Sequence, residues 1–196
     1  MIGVFGSAFN PPTLGHKSVI MQAAEHCSKI LLVPSASHAF GKNMLPYEIR
    51  FRMLASFVQD IQSNNEDIDA LGNCQLEVCD IEQQMLIDGI SPIYTFDVLE
   101  RLEQQSHTNS TQAPKFKFIL GPDNAKQETW TRFYKHQEID ERWGKICCQE
   151  KLPVRSTQIR ELVQKIPVDT AALLEMTTPS VASIIIAEQV YTQQAM

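Results

Sequence analysis

No apolar run in this 196-residue chain is long enough to cross a bilayer, because a spanning helix needs about 20 such residues and Ile184-Ile185-Ile186 is far shorter. The first residues also lack the basic segment and apolar stretch of a signal peptide, so we expect a cytoplasmic protein with no membrane partner. A surplus of basic residues is missing as well, since 17 Lys and Arg stand against 23 Asp and Glu, a formal net charge of −6. That balance argues against nucleic acid as a partner. Any polyanionic ligand must be held by a local cluster of positive groups and backbone N–H groups.

Paired cysteines are also missing. The five cysteines are Cys27, Cys74, Cys79, Cys147 and Cys148, an odd number with no C-x-x-C pair. Their spacings match no zinc-ligand pattern. We therefore expect free thiols and no metal held by protein ligands.

Short apolar runs alternate with segments of helical spacing along the chain. Strands are predicted near residues 2–5, 29–33, 76–78, 116–120 and 145–148, and helices near 14–26, 46–57, 94–102, 156–164 and 179–190. Residues 60–73, which are acidic and rich in asparagine, are predicted to form an exposed loop. This alternation predicts an α/β fold, a doubly wound parallel sheet. We expect one domain over residues 1–196, because no linker or repeat divides the chain.

Ligands of such sheets bind beyond the carboxyl ends of the strands. Four loops should meet there: residues 6–16, 34–42, 121–130 and the segment that leads into Ser156. The chemically interesting side chains all lie in these loops. The helices from about residue 155 onward should complete the site. Neither a Gly-x-x-x-x-Gly-Lys-Ser/Thr loop nor a Gly-x-Gly-x-x-Gly loop occurs, so phosphate must be held in another way.

The first of these loops, residues 6–16, reads GSAFNPPTLGH and leads from a strand into a helix. Free N–H groups and a partial positive charge at a helix start suit phosphate, and Thr13 and His16 share one face of the opening turn. Gly6 lets the backbone approach a ligand, and Gly15 leaves room where a side chain would block it. Taken alone, His16 could equally be an ordinary helix-start histidine.

A second cluster, residues 155–160, reads RSTQIR. Ser156 or Thr157 can cap the helix, and Arg160 then lies on its first turn. Hydroxyls, N–H groups and a guanidinium at one helix start form a second anion cradle. Simple capping beside a surface arginine explains the same residues, so this motif alone is weak evidence.

Together, TLGH at residues 13–16 and STQIR at residues 156–160 resemble the two motifs of the nucleotidylyltransferase superfamily, (His/Thr)-x-Gly-His and Ser-Thr-x-x-Arg. Within it, the chain is most similar to bacterial nicotinate-nucleotide adenylyltransferases. The opening GSAFNP resembles their Gly-Gly-Thr-Phe-Asp-Pro, and YT at residues 94–95 with Leu99 resembles their Tyr-Thr-x-x-Thr-Leu. GPD at residues 121–123 with Trp130 resembles their Gly-x-Asp and downstream Trp, and residues 179–191 resemble their last helix. The motifs keep the family's order over nearly the full length.

This resemblance implies a Rossmann-like nucleotidylyltransferase fold and transfer of AMP from ATP to a pyridine mononucleotide. Nicotinate mononucleotide is the expected acceptor, giving a dinucleotide and pyrophosphate in NAD biosynthesis. Mg²⁺ is implied as the cofactor, bound mainly to the triphosphate. The implied catalytic residues are His16, Thr13 and Arg160. The implied ATP-binding residues are Gly6, Ser7, Phe9, Gly15, Lys42, Gly121, Asp123, Ser156 and Thr157, and the acceptor-binding residues are Tyr94, Thr95, Trp130 and Asn10.

Plainer roles remain open for four of these residues. Lys42 could be a solvated loop lysine, Asp123 or Thr95 could cap helices, and Trp130 could belong to the core.

Some residues depart from the family pattern, and the departures leave alternatives open. Thr13 stands where nicotinate-specific enzymes usually have His, and Thr there is familiar in phosphopantetheine adenylyltransferases. Ser7 replaces a Gly, Arg155 replaces a Ser, and the stretch between Trp130 and Arg155 is short. Transfer to nicotinamide mononucleotide or to a phosphopantetheine-like acceptor is therefore an alternative. Nucleotide binding without turnover is another, and the oligomeric state, including a homo-oligomer, is left open.

Overall fold

The computed structural model describes residues 1–37, 44–109 and 114–192. Five strands lie in these ranges: β1 Ile2–Ser7, β2 Lys29–Pro34, β3 Gln75–Val78, β4 Phe116–Leu120 and β5 Lys145–Cys147. All their pairings are parallel, in the order β3-β2-β1-β4-β5. The chain runs outward from β1 to β3 and then returns to the other side of β1 with β4. This doubly wound parallel sheet confirms the predicted fold class.

Helices connect and cover the strands. In the described ranges they are α1 Leu14–Ala24, α2 Tyr47–Ser63, α3 Asn65–Leu71, α4 Ile81–Ile87, α5 Thr95–Asn109, α6 Gln127–Trp130, α7 His136–Arg142, α8 Ser156–Leu162, α9 Thr170–Leu174 and α10 Pro179–Ala187. No helix of this described part combines the length and the apolar character that crossing a membrane requires.

The prediction of an exposed loop at residues 60–73 is wrong. The first of these residues complete α2, and α3 follows directly. The Asn64 side chain accepts a hydrogen bond from the backbone N–H of Asp67 (3.1 Å) and caps α3, while Leu71 is buried against the core. Asparagine at a cap and acidic residues in a first turn both stabilise a helix, so the composition that suggested a loop fits a helix start.

Both faces of the sheet are covered by packed side chains. Residues alternate between the faces along β1, so Val4 belongs to one hydrophobic cluster and Phe5 to the other. The Phe5 cluster includes buried residues of α1, α2, α3, α8, α9 and α10, and the Val4 cluster includes those of α4 to α7. Since β1 lies in the middle of the sheet, loops from both layers meet at its carboxyl end.

Candidate active site

The loop after β1 turns into α1 at Thr13, which is fully buried. The Thr13 hydroxyl accepts a hydrogen bond from the backbone N–H of His16 (3.3 Å), and the His16 ring accepts one from the backbone N–H of Thr13 (3.1 Å). This reciprocal cap satisfies two N–H groups at the helix start. It also fixes the orientation of the imidazole, so the spacing Thr-x-x-His places the ring by local backbone geometry.

The hydrogen bonds of His16 define its tautomer. A backbone N–H can only donate, so Nδ1, which faces the N–H of Thr13, carries a lone pair and the proton lies on Nε2. Burial and, to a smaller degree, the positive charge of Arg155 lower the pKa of His16 to about 4. His16 is therefore neutral at pH 7 and offers Nε2–H as a donor, with Ser7 Oγ 3.2 Å from Nε2.

Two aromatic rings pack against the imidazole. The centroid of the Phe9 ring lies 4.9 Å from that of His16, and the centroid of the Phe5 ring lies 6.1 Å away. Phe9 is fully buried, so its side chain supports His16 from the core side. The sequence predicts a contact between Phe9 and ATP, and in this structure the Phe9 backbone would have to make it.

The second motif lies against the first. The Ser156 hydroxyl donates to the Pro11 carbonyl oxygen (2.7 Å), and Arg160 Nη1 donates to the Asn10 carbonyl oxygen (2.7 Å). Arg160 Nη2 donates to the Thr157 hydroxyl (2.9 Å), which orients the guanidinium within its own helix turn. The two segments that the sequence places 145–150 residues apart thus meet at one edge of the sheet.

Glycine is required where these two segments cross. A Cβ on Gly15 would lie 2.4 Å from the carbonyl oxygen of Val154, so only a glycine lets the segment before α8 pass over α1. At Gly6 and Gly121 an added Cβ would make only ordinary contacts, at 3.8 Å, with a side chain. The room that Gly15 leaves is therefore filled by the backbone of the segment that leads into the second motif.

Arg155 joins two loops beside this crossing. Its Nη2 lies 3.0 Å from Asp123 Oδ1, in the loop after β4, and also binds the Glu150 carboxylate, in the loop after β5. The sequence predicts an ATP contact for Asp123, and the structure gives this carboxylate an arginine partner.

No group of three or more His, Cys, Asp or Glu side chains in the described ranges is arranged to hold a metal ion.

The residues predicted to bind the acceptor differ in their surroundings. Asn10 is buried, and its Oδ1 accepts hydrogen bonds from the Tyr191 hydroxyl (2.8 Å) and the Leu45 N–H (3.3 Å). Tyr94 is exposed and its ring packs against that of Tyr134 at a tilt of 34°, with centroids 4.7 Å apart, while Thr95 begins α5. Lys42 lies outside the described residues.

Trp130 occupies the core in this structure. It is 1% exposed, its ring lies 6.2 Å from that of Phe118, and its Nε1–H donates to Asp140 (2.9 Å). Stacking of Trp130 on an acceptor ring stays a prediction, and it requires the indole to leave this packing.

Sequence reasoning missed Arg50, which ties three segments together behind the site. Arg50 is 1% exposed, and its guanidinium donates to the carbonyl oxygens of Ala8 (2.8 Å), Ser35 (2.7 Å) and Leu45 (2.9 Å). The sequence does contain a signal for this residue, because Arg50 precedes Met53 by three positions on the buried face of α2. An arginine in an apolar helix stripe indicates a buried cation with several acceptors.

Known proteins with similar sequence and structure agree with the motifs. The sequence model of the cytidylyltransferase-like family matches residues 4–162. A solved structure described as a nicotinate-nucleotide adenylyltransferase from Vibrio parahaemolyticus is 34% identical, with a TM-score of 0.70, over 94% of this chain and 97% of that one. A nicotinic acid mononucleotide adenylyltransferase from Plasmodium falciparum, complexed with NaAD, has a TM-score of 0.70 over 97% of this chain and 96% of its own. Its identity of 17% supports the fold alone.

A curated relative with the same name matches a shorter part of this chain. The probable nicotinate-nucleotide adenylyltransferase of Aliarcobacter butzleri (strain RM4018) is 26% identical over 141 residues, which are 70% of this chain and 65% of that protein. The match thus spans somewhat less than two thirds of this relative. The predicted resemblance is confirmed: the chain belongs to the cytidylyltransferase-like family, and its similarities within that family are to nicotinate-nucleotide adenylyltransferases.

Proposed function

We propose that this protein transfers the adenylyl group of ATP to nicotinate mononucleotide and releases pyrophosphate. The observation that carries the proposal is the meeting of the two motifs, in which Ser156 and Arg160 bind the loop that positions Thr13 and His16. The Vibrio parahaemolyticus relative, similar over nearly the full length of both chains, supports the choice of reaction and acceptor.

The reaction needs no enzyme nucleophile, because the acceptor phosphate attacks the α-phosphorus in line and pyrophosphate leaves. Catalysis is then positioning and charge neutralisation. His16 donates from Nε2–H to an oxygen of the transferring phosphate, and its lowered pKa keeps it a neutral donor. Ser156, Thr157 and Arg160 bind the departing β- and γ-phosphates, and Arg160 supplies the positive charge.

A magnesium ion fits this site as a companion of ATP. The described residues hold no cluster of three metal-binding side chains, and phosphate oxygens and water would supply most ligands of an ion that arrives with ATP. When bound, Mg²⁺ neutralises triphosphate charge. The hydroxyls of Ser7 and Thr157 and the guanidinium of Arg160 orient the phosphates.

We assign the acceptor side to Tyr94 and Thr95 at the start of α5, where the ring of Tyr134 packs at a tilt against that of Tyr94. An exposed aromatic pair offers a face for a pyridine ring. The buried Asn10 side chain acts indirectly, by fixing the loop before Thr13.

An acceptor panel tests this function. Pyrophosphate release is measured with ATP and, separately, nicotinate mononucleotide, nicotinamide mononucleotide and phosphopantetheine. We expect the highest kcat/KM with nicotinate mononucleotide. Preference for either other acceptor would replace the proposed substrate, and ATP binding without release with any acceptor would identify a nucleotide-binding protein that does not turn over.

A pair of histidine variants tests the assigned donor. His16→Ala should lower kcat by on the order of 10²- to 10³-fold, the usual cost of losing one preorganised donor. His26→Ala, an exposed histidine just beyond α1, is the matched control and should retain the wild-type rate. Equal rates for the two variants would remove His16 from this role.

A further inference from the structure

Arg155 occupies a junction that the proposed mechanism does not use. It is the residue just before α8, and its side chain crosses from there to Asp123 and Glu150, on two different loops. The next residue, Ser156, binds the Pro11 carbonyl of the first motif. The guanidinium therefore lies at the edge where the loops after β1, β4 and β5 come together.

The backbone of Arg155 is fixed while its charge remains accessible. Its N–H donates to Gln158 Oε1 (2.7 Å), which closes the first turn of α8. The side chain keeps 38% of its surface exposed, and its partners Asp123 and Glu150 keep 68% and 43%. Ion pairs this exposed contribute little stability and exchange partners readily.

The charge of Arg155 also reaches the reaction centre. It is the charged group that, after burial, lowers the pKa of His16. The geometry agrees, because Ser156, the next residue, binds the Pro11 carbonyl of the loop that positions Thr13 and His16. A phosphate that accepts a hydrogen bond from His16 is therefore within the field of Arg155 as well as that of Arg160.

We propose that Arg155 is a second phosphate-binding arginine of the ATP site, which exchanges Asp123 and Glu150 for the triphosphate. This inference rests on the proposed function. A planar guanidinium binds phosphate oxygens in pairs, and a triphosphate carries more negative charge than either carboxylate. The exchange releases the Asp123 carboxylate, which then can accept hydrogen bonds from the ribose hydroxyls. Glu150 acts as a competitor for Arg155 and holds no part of the ligand.

This exchange predicts that removing Arg155 and removing Glu150 change the affinity for ATP in opposite directions. Arg155→Ala should weaken ATP binding by about tenfold or more, the usual effect of losing a charged hydrogen-bond donor. Arg155→Lys should recover part of the loss, since it keeps the charge without the planar fork. Glu150→Gln should tighten ATP binding by about twofold to fivefold, because it removes an exposed competing ion pair. An ion bridge that only braces the two loops predicts weaker binding from both changes.

The test measures the Kd of ATP with Mg²⁺ by isothermal titration calorimetry without any acceptor. Glu141→Gln, an exposed carboxylate of α7, is the control for net charge and should leave the Kd unchanged. Melting temperatures of all variants show whether each is folded. An unchanged Kd in folded Arg155→Ala, or weaker binding in Glu150→Gln, would overturn the inference.

The same titrations separate this inference from the proposed function. Opposite shifts in Kd without pyrophosphate release from any acceptor would uphold the role of Arg155 and reject the transferase reaction. Normal turnover with equal Kd values in all variants would uphold the transferase reaction and reject the role of Arg155. Wild-type protein that binds no ATP would reject both.

Discussion

Gly15→Ala offers a direct test of the way the two motifs assemble. An added Cβ would lie 2.4 Å from the Val154 carbonyl oxygen, whereas ordinary van der Waals contact begins at 3.4 Å. It would also lie 3.3 Å from the Thr13 hydroxyl and 3.4 Å from the Leu152 carbonyl oxygen. Backbone on one side and a buried cap on the other leave no flexible side chain to give way. The segment before α8 must therefore move by about 1 Å away from α1 to reach that contact distance.

That displacement should affect rate more than fold. Residues 156–160 begin two positions after Val154, so the phosphate-binding side chains move relative to His16. A misplacement of about 1 Å can cost about 100-fold in rate, and overpacking of this kind costs about 1–3 kcal/mol of stability. We therefore expect kcat/KM for pyrophosphate release to fall about 100-fold in a protein that still unfolds cooperatively in urea.

Gly3→Ala is the matched control, because an added Cβ is crowded there as well, by side-chain atoms, but lies near the opposite end of β1. Its Cβ would meet Ile119 Cδ1 at 2.6 Å and Cys27 Sγ at 2.9 Å. A stability loss without a rate loss is expected there. The reasoning would fail if Gly15→Ala kept its kcat/KM, or if the two variants lost rate equally.

Three further changes test individual contacts. Because its pKa is lowered to about 4, the His16 ring should show no NMR titration between pH 8 and 5. The unfolded chain binds this proton near pH 6.5 and the folded one near 4, so His16 should reduce stability as pH falls through that window. A titration midpoint near 6.5 would contradict the buried neutral imidazole. Tyr191→Phe removes a 2.8 Å hydrogen bond to Asn10, so it should lower the free energy of unfolding by about 1 kcal/mol. It should also raise KM for ATP, since Asn10 holds Arg160; wild-type values of both quantities would exclude this coupling. Trp130→Phe loses core volume and the bond to Asp140, so it should cost about 1–3 kcal/mol of stability. A rise in the acceptor KM without that stability loss would instead indicate stacking on the acceptor.

The parallel sheet could be predicted because its signals are local. Short runs such as residues 2–5 and 116–120 are apolar at every position except Lys117, which is typical of strands buried on both sides. The meeting of the two motifs could also be inferred, since carboxyl ends of parallel strands share one edge. That Thr13 and His16 share one face of the opening turn follows from the geometry of a helix start alone.

The partners of long side chains could not be predicted in the same way. Arg155 reaches Asp123 and Glu150, and Trp130 reaches Asp140, through tertiary neighbours that no spacing along the sequence specifies. The same is true of Tyr191, whose hydroxyl reaches a residue 181 positions earlier. Residue type indicated that these side chains need partners, and only the fold supplies them.

The Asn10-Pro11-Pro12 segment shows why both chain ends are needed for one site. Two consecutive prolines have no backbone N–H, so this segment carries carbonyl acceptors with few donors of its own. The structure supplies donors from the far end of the chain. The Arg160 guanidinium binds the Asn10 carbonyl at 2.7 Å, and the Ser156 and Thr177 hydroxyls bind those of Pro11 and Pro12 at 2.7 and 2.8 Å. Two of these donors also face the proposed phosphate site, so the contacts that complete the loop before Thr13 are the same ones that place the second motif beside His16.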